Sequence, residues 1–197
     1  MKGDGPEDSN SLKQITIREA TVDDVCFIAD CVLASVDAYI FGGKRPEEYE
    51  SIRVVCTLDD TLYSYRNALI ADFHGEAVGC LVAYPGDNYE QARERTAETI
   101  CSVKGGIDFG DSALETGPGE FYLDSMAVVP SFRGNGLGHL LLKAQIQRGR
   151  NLGYNRFSLI VAKSHSKLKE YYEQLGFRQE GELTFLGEEY FKCVITE

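Results

Sequence analysis

The chain has 197 residues, 43% of them hydrophobic, a formal net charge of −11 and six cysteines. That length fits one domain with a substantial core, and 11 tyrosines and 10 phenylalanines exclude disorder as a class. No run reaches the ~18 apolar residues that span a bilayer, and the acidic balance excludes nucleic-acid binding by the chain as a whole.

Residues 1–13 are polar, without an apolar stretch of the secretory type, and are expected to form a loose tail before a single domain over 14–197. Gln14 to Arg18 alternates apolar and polar residues and predicts a first strand. Thr21 is a candidate N-cap for a helix running to about Tyr39, with Val25, Ile28, Ala29 and Val32 on one face. Phe41-Gly42-Gly43 breaks it, and Pro46 suits the first turn of a second helix reaching Thr57. Asn67–Phe73 and Glu76–Tyr84 predict two strands of a hairpin around His74-Gly75, with His74 a surface residue. Gly79 inside the second strand marks a bulge or a close approach.

Residues 86–119 form a long connection, helical over about 88–103 and a glycine-rich loop over 104–119. Residues 86–120 carry eight acids against three bases, so this insert either faces a substrate or is a surface excursion. Phe121–Val129 is a strand rich in aromatic and β-branched residues, stopped by Pro130. Behind Arg133-Gly134-Asn135-Gly136-Leu137-Gly138, residues Leu137, Leu140, Leu141 and Ala144 fall at the spacing of one helix face, and Gly153 closes that helix. Phe157–Ala162 is a further strand, and Ser164 or Ser166 can cap the helix after it. Leu168, Tyr171, Tyr172 and Leu175 share that helix's face, and two strands, Phe177–Phe185 and Glu189–Ile195, end the chain.

The strand, glycine turn and helix start around Arg133–Gly138 carry the chemistry. The first N–H groups of a helix lack partners and the dipole adds positive charge, while glycines let an anion approach the backbone. This makes a phosphate cradle. It is neither a Walker loop, which needs Gly-Lys-Ser/Thr, nor a dinucleotide fingerprint, since the glycines read G-x-G-x-G. Residues 133–178 hold nine Lys and Arg against two Glu, a net of +7 that leaves −18 elsewhere. A polyanionic cofactor near the loop accounts for this, and so does a solvated helix surface. The six cysteines are scattered with no C-x-x-C, which predicts buried free thiols in a reducing cytoplasm and no metal site.

Two motifs together are similar to the GNAT superfamily of N-acetyltransferases. Arg133, Gly136 and Gly138 match its Q/R-x-x-G-x-G/A hallmark, and Tyr171-Tyr172-Glu173-Gln174-Leu175-Gly176-Phe177 matches its L-Y-E-x-L-G-F helix ending. The spacing between the motifs and the element order extend the resemblance over about 14–196. It implies an α/β (α+β) fold: a mixed, mostly antiparallel sheet of about seven strands, its central strands splayed, flanked by four to five helices. It also implies an acyl-CoA-dependent N-acyltransferase that moves acetyl from acetyl-CoA to a primary amine by direct attack. The rival reading is a CoA-binding sensor of the same fold without catalysis.

Carried over residue by residue, the resemblance places the CoA pyrophosphate on Arg133, Gly134, Asn135, Gly136, Leu137 and Gly138, with His139. It places the pantetheine arm on Met126, Ala127 and Val128. Tyr172 becomes the phenol near the thioester sulphur that protonates the leaving thiolate, its plain alternative being a core residue. His165 stands where the family often has an Asn that contacts the cofactor. An attacking amine must lose a proton, and simple alternation puts Glu120, Tyr122, Asp124 and Met126 on one face of the strand. Asp124 is the first base candidate and Glu120 the reserve; the alternative for Asp124 is a hydrogen-bonded strand residue. The acceptor is expected to be a small-molecule or peptide amine, cationic by the acidic balance. No nucleic acid or membrane partner is expected, and a homodimer is left open.

Overall fold

The computed structural model describes residues 14–37, 40–103 and 112–196. The expected tail over 1–13 and residues 104–111 of the expected loop over 104–119 lie outside them. Seven strands form one sheet in the order β1-β2-β3-β4-β5-β7-β6. They are β1 (Ile15–Glu19), β2 (Ala68–Phe73), β3 (Glu76–Pro85), β4 (Phe121–Val128), β5 (Arg156–Ala162), β6 (Arg178–Phe185) and β7 (Glu188–Thr196). All neighbours are antiparallel except β4 and β5, which are parallel.

Helices cover both faces and make two cores. On one face α1 (Val25–Ser35), α2 (Tyr49–Thr57) and α3 (Tyr89–Val103) bury Ile28, Ile52, Val55 and Ile100 against Ile70, Cys80, Val82 and Tyr122. On the other, α4 (Leu137–Asn151) and α5 (Ser166–Gln174) bury Leu137, Leu141 and Tyr172 against Leu81, Phe121, Leu123 and Phe157.

Several element ends differ from the sequence expectation. The regular helix α1 stops at Ser35, and its expected end at Tyr39 lies outside the described residues. It is preceded by a 3-10 turn in which the Thr21 N–H donates to Asp24 Oδ2 at 2.8 Å. Helix α2 begins at Tyr49, and Pro46 only contributes the carbonyl that accepts the Tyr49 N–H. Neither Ser164 nor Ser166 caps α5; His165 holds the N-cap position without a side-chain bond. Four cysteines are buried as expected, but Cys26 and Cys101 are exposed; all six are free thiols.

Helix α4 is rotated from the expected face. Its buried stripe is Leu137, Leu141, Leu142, Gln145, Ile146 and Gly149, whereas Leu140 is 39% exposed. At 100° per residue Leu140 lies about 140° around the helix from Gln145, the middle of the stripe. Gly149 sets this rotation, because it lies directly on the Phe121 and Phe157 rings. Gln145, completely buried, donates from Nε2 to the Leu81 carbonyl at 2.7 Å and the Asn67 carbonyl at 3.1 Å. Both expectations for Gly79 hold: Val78 is the extra residue of a bulge against β2, and a Cβ on Gly79 would stand 3.2 Å from Leu141 Cδ1.

Two features of β4 position the site. First, it pairs with β5 only through Phe121↔Phe157 and Tyr122↔Ser158, so the strands part beyond Tyr122. Second, its pairing with β3 slips between Leu123↔Ala83 and Met126↔Leu81, so Asp124 and Ser125 together oppose Val82. This bulge corrects the simple alternation. Tyr122 faces the α1 side and Asp124 bonds Tyr84 of that side, but Met126 turns to the α4 side.

Candidate active site

The parting of β4 from β5 opens space on both sides of the sheet. On the α4 side lies a groove of about 600 Å³, lined by Met126, Ala127 and Val128, the loop from Arg133 to Gly138, His139, Leu168 and Tyr171. On the α1 side lies a cleft of about 220 Å³, whose walls include Glu115, Tyr122, Asp124, Ser125, His165 and Leu168. Leu168 belongs to both walls, and Met126 follows Ser125 directly in the strand. Groove and cleft therefore meet at the unpaired edge of β4.

The groove is built by local sequence. Pro130 turns the chain into a 3-10 turn, and Phe132 buries itself against Phe73. Gly134 and Gly136 adopt left-handed backbone (φ +79° and +78°), which L side chains rarely enter. Gly136 is the N-cap of α4, so the first N–H groups of that helix stand at the groove. Arg133 does not reach outward: its Nε donates to the Val128 carbonyl at 2.8 Å. Asn135 likewise folds back toward the carbonyls of Phe132 and Arg133.

These residues fit a phosphorylated, amide-containing chain. A Cβ on Gly134 or Gly136 would meet nothing within 4 Å, so the backbone is open to a ligand. His139 Nδ1 is buried without a partner among the described residues. Beyond Tyr122, β4 has no strand on its β5 side, leaving backbone groups of Met126–Val128, apart from the Val128 carbonyl that accepts from Arg133, for an extended ligand.

The two tyrosines of α5 are separated by the helix. Tyr172 packs inward on Phe177, ring centroids 5.7 Å apart, at 8% exposure. It lines neither groove nor cleft. Tyr171, half-buried, is the phenol in the groove; its Oη is 3.9 Å from where a Gly138 Cβ would stand. Burial raises both phenol pKa values. His165 lines the cleft rather than the groove, 3.5 Å from Asp37 Oδ2.

The two carboxylates named from sequence lie in different surroundings. Glu120 is outside the cleft. It accepts from Thr116 (2.9 Å), Ser158 (2.8 Å) and Arg156 (3.1 Å), and lies 2.8 Å from Lys192 Nζ. Burial would raise its pKa, but the bonds from Lys192, Ser158 and Thr116 outweigh it and hold the carboxyl below its usual value. Those contacts make Glu120 a poor proton acceptor. Asp124 is in the cleft wall, held by the Ser125 hydroxyl at 2.6 Å and the Tyr84 hydroxyl. Burial raises its pKa against those two bonds.

Residue types and spacing did not reveal Glu115. It comes from the acidic insert and is 7% exposed. Tyr89 of α3 donates to Oε1 at 2.7 Å and Tyr122 of β4 to Oε2 at 2.7 Å. The rings of Tyr84, Tyr89 and Tyr122 lie 5.7–6.5 Å from one another and join the two carboxylates into one polar cluster. The only sequence signal was the excess of acids over 86–120.

A mixed sheet split at its one parallel pair, with a glycine loop and helix start at the split, is the acetyltransferase fold. The sequence model of the Acetyltransferase (GNAT) family matches residues 37–177. The chain belongs to that family. No curated protein matches it in sequence. Among solved structures, an acetyltransferase superposes with a TM-score of 0.74 at 24% identity, covering 92% of this chain and 98% of its own. The N-acetyltransferase from Staphylococcus aureus Mu50 gives 0.70 at 20% identity, covering 91% and 100%. The Drosophila melanogaster polyamine N-acetyltransferase gives 0.58 at 16%, covering 93% and 100%. At these identities the likeness is one of fold. No helix among the described residues is long and apolar enough to cross a membrane, and no group of three metal-ligating side chains occurs among them.

Proposed function

We propose that the protein transfers acetyl from acetyl-CoA to a small cationic primary amine by direct attack. The carrying observation is that a cradle-lined groove and a carboxylate-lined cleft meet at the open edge of β4. Acetyl-CoA supplies the thioester. Gly134, Gly136, Gly138 and His139 hold its phosphates, and Met126–Val128 hold its pantetheine amides. The cleft presents Asp37, Glu115, Asp124 and Glu188, with His165 as its only basic side chain among the described residues, which favours a cation. The Drosophila neighbour is an enzyme that catalyses the formation of N-acetylagmatine, an acceptor of that charge. Free thiols fit a cytoplasmic location.

Asp124 receives a proton from the attacking nitrogen. The phenol in the groove, Tyr171, is placed to protonate the departing thiolate, while Tyr172 packs edge-on behind it at 5.3 Å. The test is release of CoA thiol from acetyl-CoA with spermidine, agmatine, tyramine and a lysine peptide. At least one of the small cations is expected to react. Tyr171→Phe should lower kcat by roughly 10²-fold, and Tyr172→Phe should mainly lower Tm. The reverse pattern returns the acid role to Tyr172. Stabilisation by CoA with no thiol released from any amine would make the protein a sensor.

A further inference from the structure

Transfer to an amine that arrives as an ammonium removes two protons from nitrogen, one before attack and one after. Of the carboxyl groups that line the cleft, Glu115 and Asp124 are joined by tyrosines. We propose that Glu115 is a catalytic residue that takes the first proton, delivering a neutral amine, while Asp124 takes the second. This rests on the amine acetylation proposed above.

The geometry supports the division. Glu115 is held by helix α3 and strand β4 at once, through Tyr89 and Tyr122, so its carboxyl is fixed in the cleft wall although it comes from a loop. Both bonds come from donors, which leaves each oxygen a second lone pair for an ammonium. Asp124 lies nearer the pantetheine run, two residues before Met126 along β4. Both carboxyl groups line the same cleft of about 220 Å³, the space in which an ammonium would bind.

The steps balance. R–NH3⁺ passes one proton to the Glu115 carboxylate and becomes R–NH2. Its lone pair forms the C–N bond at the thioester carbonyl, and the nitrogen then gives a proton to Asp124. The C–S bond breaks, and the thiolate takes a proton from the groove phenol. Asp124's proton restores that phenol through solvent, and Glu115 returns its own to solvent. The products are the amide, the CoA thiol and one proton.

The surroundings tune Glu115 for this role. Burial, then the charge of Asp124, raise its pKa to about 7, against the bonds from Tyr122 and Tyr89 and the charge of Arg93. The other titratable groups at the cleft are Tyr63, Asp37, His165, Glu188 and Tyr190, and Tyr84 faces it through Asp124. A carboxyl that ionises near 7 is active only when deprotonated, so kcat/KM falls as pH drops through that value.

The test is the pH profile of kcat/KM with acetyl-CoA and the fastest acceptor among spermidine, agmatine and tyramine. The wild type should show an acid limb near pH 7. Glu115→Gln should lose roughly 10²-fold at pH 7. Its rate should then climb toward the ~10 of a free amine. Tyr89→Phe removes a bond that favours the carboxylate, so its acid limb should move to higher pH. Profiles of both variants that superimpose on an active wild type would overturn the role of Glu115 and leave the transferase standing. A wild type that releases no thiol at any pH would overturn both.

Discussion

Asp124→Asn is expected to lower kcat/KM by about 10²–10⁴-fold across the whole pH range, the span of general acid–base catalysis. The substitution keeps the volume and one acceptor oxygen: one of the Ser125 and Tyr84 hydroxyls keeps its acceptor, the other turns to accept from the new amide NH2, and the fold is kept. It removes the carboxylate beside the pantetheine run, and with it the group that takes the second proton. A further effect follows from the shared cleft. Asp124's charge is one reason Glu115 ionises late. With that charge gone, the acid limb of the residual activity should move to lower pH. The shift separates loss of a base from loss of structure, because a collapsed cleft would abolish the limb rather than displace it. A variant within tenfold of wild type would take Asp124 out of the chemistry.

Gly149→Ala is expected to destabilise the protein by about 1–3 kcal/mol, the usual cost of overpacking a core. At roughly 2–4 °C per kcal/mol for this chain length, Tm should fall by several degrees. The sign is informative, because Ala is favoured over Gly in a helix interior by up to ~1 kcal/mol. Here a Cβ would stand 2.6 Å from Phe157 Cε1, 2.8 Å from Phe121 Cγ and 2.9 Å from Phe121 Cδ1. Neither ring can retreat: both are almost fully buried, and they pack edge-on at 6.1 Å. They also sit at Phe121↔Phe157, one of the two pairs that hold β4 to β5. Displacing α4 there moves the loop at its start, so acetyl-CoA affinity should fall together with Tm. Thermal denaturation with and without CoA reads both, and a Tm at or above wild type would show that the helix shifts without cost.

Periodicity and punctuation located every strand and α-helix among the described residues, because both are local. Alternation in Ile15–Glu19 and the His74-Gly75 turn depend on residues within a few positions, and that turn is present with φ of +54° and +89°. The glycine loop was legible for the same reason: Gly134 and Gly136 are written for left-handed backbone wherever they occur. Which helix face is buried was less legible. Leu140 is as apolar as Leu141, and only the close approach at Gly149 turns it to solvent. The same holds for Tyr171 and Tyr172, whose adjacent phenols differ only in what lies opposite them.

By itself the sequence determined the element order, the cradle over Arg133–Gly138, the aromatic strand ahead of it and the acid-rich insert. Each is a property of neighbouring residues and their backbone preferences. Only the tertiary structure decided where the expected parting of β4 from β5 begins, that a bulge turns Met126 away from Asp124, and that Glu115 joins Asp124 in one cleft. Strand register and helix rotation are fixed by contacts between distant segments. Glu115 reaches its place through Tyr89, 26 residues earlier in the chain, and no local pattern carries that distance.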